Sequence, residues 1–236
     1  MGLVGFRWPL VASLFLLGTL AAQSPVAPEE LFLRDILLGR DLASAPPGIY
    51  RWERAPTIAI VGGNPRHREA VEAAINDLQR ALKPVGFNPT LLEEPDESAD
   101  IVLYYVRFYE VGGVVERLGL PARARKIDEA HPIFGETGTL RKAVVFIDER
   151  WAAPPPELKL KAMKLILAAM GMPGQSRLAP KSVFYEVPTT GLSSELVTDL
   201  SRLDVKAIRL LYVYLKPGES LDALARSYDR HWSRLR

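Results

Sequence analysis

"MKLILAAMGMPGQS", residues Met163–Ser176, is an apolar run broken once, by Lys164, and closed by glycine and proline. Its spacing predicts a helix from Glu157 to Met170, with Gly171 as the left-handed stop and Pro173 barring continuation. A helix apolar on nearly all sides is normally covered by other elements. Burial of Met163, Ile166, Leu167 and Met170 is worth about 1.5–3 kcal/mol each. No His, Asp or Glu occurs between Leu158 and Leu178. The stretch reads as core filler, without groups that bind metal or move protons.

Working upstream, the proline run "APPPE" introduces this helix and "KAVVFIDE" precedes it as a buried strand. Two further strands are expected in "PTIAIVGG" and "DIVLYYVRFY", both continuously apolar as central strands are. Asn64 is a good N-cap and Pro65 a good first helical residue for "RHREAVEAAINDLQRAL". Its inward stripe is Ala70, Val71, Ala74, Ile75, Leu78 and Leu82. "NPTLLEE" adds a strand before the acidic turn "EEPDESAD". Residues 109–142 show few periods and read as a long insertion with short elements. Downstream, "KSVFYEV" is expected to be extended. "SRLDVKAIRLLYVYL" is expected to be helical, with a Ser201/Asp204 capping box. Pro217-Gly218 and then Ser220 introduce a last helix, with Leu221, Leu224, Ala225, Tyr228, Trp232 and Leu235 on one face and Arg226, Arg230 and Arg234 on another.

The 236 residues, 48% hydrophobic and 25% charged, are ordinary for a globular chain. The formal net charge is +2; no overall field favours nucleic acid. Arg7 precedes an uncharged, mostly apolar run from Trp8 to Ala22, which is short for a membrane span of about 20 residues. With Thr19 and Ala21 before "QSP", residues 1–22 read as a signal peptide, an uncleaved inner-membrane anchor being the alternative. The expected product is exported, periplasmic or secreted. Absence of cysteine excludes disulfides, a thiol nucleophile, thiolate zinc sites and iron–sulfur clusters. Residues 23–50 read as a linker with one short helix, whose spaced residues are Leu31, Ile36, Leu37 and Leu42.

Candidate chemistry is sparse. "IVGGNPRHRE" lacks the G-x-G-x-x-G and G-K-[ST] spacings of phosphate loops and reads as a strand-to-helix turn. His67, His131 and His231 are too far apart in sequence to form a local metal pair. The least poor candidates for an unrelated active site are His131, Asp148 and Glu149. The two carboxylates are adjacent on a strand and face opposite ways. Glu93, Glu94, Asp96, Glu97 and Asp100 lack the spacing of a calcium loop. "GLSSE" lacks the second glycine of a nucleophile elbow. Arg117, Arg123, Arg125, Lys126, Arg141 and Lys142 form a basic insertion, by default a solvated face, otherwise a surface for an anionic partner.

The order of elements resembles the zincin-like metallopeptidase fold, distantly the metzincins. It more nearly resembles a bacterial exported family known as a zincin-like domain of unknown function. The resemblance rests on "RWERAPTIAIVGG", "AVVFIDE", "LAAMGMPGQS", "KSVFYE" and "LSRLDVKAIRLLYVYLKPGES", spanning roughly residues 51–220. It implies an α+β fold with a twisted mixed sheet, a long N-terminal helix, a buried central helix and C-terminal helices, followed by an amphipathic helix at 221–236. In metzincins the central helix carries H-E-x-x-H-x-x-G-x-x-H, whose histidines hold zinc and whose glutamate acts as base. Aligned on Gly171, those positions are Lys164, Leu165, Ala168 and Gly174, of which none can ligate zinc as histidine does. The resemblance therefore implies a scaffold with no catalytic residues, no metal and no cofactor. It also implies a protein or peptide partner held by β-strand addition beside the central helix. The alternatives are a hydrolase with a non-standard site and an envelope-associated structural factor. Membrane contact is expected only through the leader or the basic faces, and no nucleic-acid partner is expected.

Overall fold

A computed structural model describes residues 26–38, 48–135, 137–187 and 197–235. The expected leader, residues 1–22, lies outside them. Three apolar runs become parallel strands: β1 (Thr57–Gly62), β3 (Ile101–Val106) and β5 (Leu140–Asp148). The two-residue β2 (Thr90–Leu91) joins on one side, and β4 (Glu129–Phe134) joins antiparallel on the other. The order is β2-β1-β3-β5-β4, a five-stranded mixed sheet.

Alternation of side chains divides the strands between two cores. Ile58, Ile60, Leu103, Tyr105, Val145 and Ile147 face one side. That side is covered by α2 (Pro65–Leu82), α4 (Pro155–Ala169) and α5 (Arg202–Tyr214). Ala59, Val102, Tyr104, Val144 and Phe146 face the other, covered by α3 (Val111–Arg117) and the turn holding Ala124. Because both faces are covered, the central strands lack polar alternation.

The helix expected between residues 23 and 50 is α1 (Pro28–Leu38). Phe32, Leu33, Ile36 and Leu37 are buried in the main core, whereas Leu31 faces out; Leu42 lies outside the described residues. The last helix, α6 (Leu221–His231), inserts Leu224 into the same core, and its apolar stripe continues into a 3-10 turn at Trp232–Arg234. No helix among the described residues is long and apolar enough to cross a membrane.

Local signals behave as their chemistry requires. Asn64 caps α2 by accepting from the His67 N–H, Ser201 and Asp204 form a reciprocal box on α5, and Ser220 caps α6. Gly171 stops α4 at φ +98°, and a Cβ there would lie 2.1 Å from the Tyr50 carbonyl oxygen. The orphan carbonyls at that helix end are taken up from elsewhere. Trp52 Nε1–H donates to Ala169 O at 3.0 Å and the Tyr212 hydroxyl to Met170 O at 2.7 Å.

Four expectations are corrected. "NPTLLEE" pairs only at Thr90–Leu91, since β2 is an outer edge with Thr90 exposed. β3 ends at Val106, and Phe108 and Tyr109 turn outward in a 3-10 turn. "KSVFYEV" is a set of turns, bridged to the sheetless segment after α4 at Ser176–Tyr185 alone. α4 begins at Pro155, where a missing N–H costs nothing in the first turn. The insertion supplies α3 and β4, the strand that forms the edge next to α4.

Candidate functional site: a groove beside the central helix

α4 fills a core on one side only. Met163, Ile166, Leu167 and Met170 are fully buried, but Leu160, Lys161, Lys164, Leu165 and Ala168 line an open groove of about 670 Å³. The opposite wall is Lys126, Asp128, Glu129 and Ala130, at the start of β4. Trp151 and Glu157 lie towards the start of α4; Met172–Gln175, Phe184 and Glu186 lie beyond its end. The expectation of filler on all sides therefore fails along one stripe.

The β4 wall is a sheet edge. Ala143 N–H donates towards β3, to Asp100 O at 2.8 Å, so alternate residues Lys142, Val144 and Phe146 direct their backbone groups to β4. Their partners there are Ile133, His131 and Glu129. The intervening Ala130 and Pro132 therefore turn their backbone groups away from the sheet. Ala130 presents both N–H and C=O; Pro132 presents a carbonyl alone, which shortens the available ladder.

Most of the groove's charges neutralise one another. Lys161 pairs with Asp128 at 2.6 Å and lies over the Trp151 ring at 4.0 Å. Lys126 pairs with Glu129 at 3.3 Å, and Arg177 with Glu186 at 3.0 Å. Lys164 differs. It is half-buried, donates to the Tyr185 carbonyl at 3.2 Å, and burial alone pulls its amine below the ordinary lysine range.

The degenerate motif positions converge here: Lys164, Leu165, Ala168 and Gly174 all line the groove, and Gly171 sits at its end. They do not fit a zinc ion. An ammonium, two hydrocarbon side chains and a glycine offer no lone pair to a metal in place of imidazole. Position 174 is closed as well. A Cβ on Gly174 would lie 1.8 Å from the Asp35 carbonyl oxygen, because α1 crosses it, and Gly174 N–H donates to Ile36 O at 3.0 Å. Among the described residues no three His, Asp or Glu side chains are grouped to hold a metal.

The alternative trio does not assemble. His131 lies half-buried across from Val144, on the sheet face away from α4, with its ring 5.7 Å from that of Phe146. Its Nε2 lies 3.1 Å from Lys126 O, and burial lowers its basicity. Asp148, four residues beyond Val144 or roughly 13 Å along the strand, pairs with Arg150, which holds its carboxyl below the usual range. Glu149 pairs with Arg107. Three separate partners leave no shared acid–base geometry.

Other motifs resolve into structure. At "GGNP", Gly63 abuts the Tyr105 ring, on which the buried His67 stacks at 4.4 Å. His231 stacks on Tyr214 at 3.8 Å. In the acidic turn Asp100 receives Arg54, and Glu97 receives Arg117. In the basic insertion, Arg117, Arg125 and Lys126 are all ion-paired. Sequence reasoning singled out Lys164 but not Ala130 or Trp151. An alanine on a weakly patterned strand leaves no signal; its importance comes from the register.

No family model matches the chain, and no curated protein matches it. Among solved structures, two of myroilysin, a metallopeptidase, are similar. One shares 14% identity over 76% of this chain and 95% of that one, with a TM-score of 0.41. The other shares 12% over 77% and 95%, with a TM-score of 0.43. A likeness at that level says nothing about activity or ligand.

Proposed function

We propose that this chain is an exported, non-catalytic binding domain on a zincin-like scaffold, and that it takes an extended peptide into the groove between β4 and α4. The observation that carries the reading is the outward backbone of Ala130 beside a groove of about 670 Å³. An extended segment laid along β4 gains main-chain hydrogen bonds there, and side chains of alternate residues drop against Leu160, Leu165, Ala168 and Phe184. The non-catalytic part of the reading is supported by Leu165, which stands where a metzincin-like alignment puts the glutamate. Export rests on residues 1–22, whose composition fits a signal peptide.

The test uses full-length protein and pooled hexapeptides blocked at both ends and randomised in sequence, with retention read by mass spectrometry. The expected result is retention of intact peptides, weakened more than tenfold by Ala130→Pro. That substitution deletes an outward N–H and leaves the ladder to β5 in place. Retention unaffected by Ala130→Pro, or cleavage of the peptides, overturns the reading.

A further inference from the structure

Resting on that reading, we infer that Lys164 receives the carboxylate of an acidic side chain from the middle of the bound peptide. The other cations bordering the groove, Lys126, Lys161 and Arg177, each face a carboxylate within 3.3 Å. Lys164 makes no ion pair among the described residues and spends one of its three donors, on Tyr185 O. Two N–H groups remain for a ligand. Its flanks are Leu160, Leu165, Ala168 and Phe184, so a carboxylate arriving there meets a partly desolvated ammonium. Such a pair is stronger than one on open surface.

Glu157 does not supply the missing partner. It stands seven residues earlier, about 10 Å along the helix axis, in a first turn whose free N–H groups already favour a negative charge. The position of Lys164 also selects the kind of carboxylate. Lining residues continue on both sides of it, from Glu157 and Leu160 to Ala168 and Gln175. A chain passing through puts a mid-chain side chain over the amine, and its terminus lies beyond.

Three pools of hexapeptides separate the possibilities, each incubated with full-length protein. The first is blocked at both ends with a fixed central Glu. The second is blocked with a central Gln. The third has the central Gln and a free C-terminal carboxylate. The expected result is at least tenfold greater retention of the Glu pool than of the other two. Lys164→Met should abolish the preference for the Glu pool over the Gln pool, and Lys164→Arg should preserve it. Equal retention of the first two pools, or a preference that survives Lys164→Met, overturns the assignment while peptide binding stands. Retention of the third pool at the level of the first gives the site to a terminal carboxylate and overturns it too. If no pool is retained, the peptide reading falls and this inference falls with it.

Discussion

Two charged groups of the fold, Asp204 and Lys164, stand in opposite circumstances. In the junction beyond α4, Asp204 is fully buried and surrounded by donors: the Ser182 hydroxyl, the Val183 N–H at 3.2 Å and the Ser201 N–H at 2.8 Å. Burial still raises its carboxyl above the usual range against the pull of those bonds. In the groove, Lys164 has one carbonyl and, among the described residues, no counter-charge. A satisfied buried charge locks segments together, here the turns before residue 188 to the start of α5. A half-buried charge without a counter-charge costs stability through desolvation.

The largest expected effect lies where α1 crosses the end of the groove, and the junction follows it. Gly174→Ala should cost about 3 kcal/mol or more, because the new methyl meets the backbone of α1; an unchanged urea midpoint would show that α1 is loosely held. Asp204→Ala should come next, at roughly 3 kcal/mol, from the loss of a cap and of the acceptor for three donors. Asp204→Asn, which keeps one acceptor oxygen, should cost less than the alanine variant by the same measurement. If the two are equal, the charge and not the hydrogen-bond count is what the junction needs.

The groove should respond weakly and in the other direction. Lys164→Met should leave stability unchanged or raise it by up to about 1 kcal/mol at pH 7, since a desolvated amine is removed. The sign with pH follows from its lowered proton affinity. Between the folded value and 10.5 the unfolded chain binds more protons, so wild-type stability rises with pH across that window. The advantage of Lys164→Met should shrink as pH approaches 10.5, measured by denaturant midpoints. A variant less stable than wild type at pH 7 would make Lys164 a structural residue.

Some of this was legible in residues 163–176 and their flanks. The stop at Gly171, the caps at Asn64, Ser201 and Ser220, and the buried strands around Ile60, Leu103 and Val145 all depend on neighbours in sequence. β4 was not legible, because an edge strand containing His131 and Pro132 needs no apolar alternation. Nor was the burial of α1, whose stripe finds its cover in segments far along the chain.

The amino-acid order alone determined that positions 165 and 168 of α4 carry hydrocarbon, since no fold can give Leu165 or Ala168 a lone pair. Tertiary structure alone decided that this helix is half wall and half core, that α1 closes position 174, and that Ala130 faces outward. Those facts depend on strand register and on helices meeting across the fold, and such long-range contacts leave no periodic trace in a single chain.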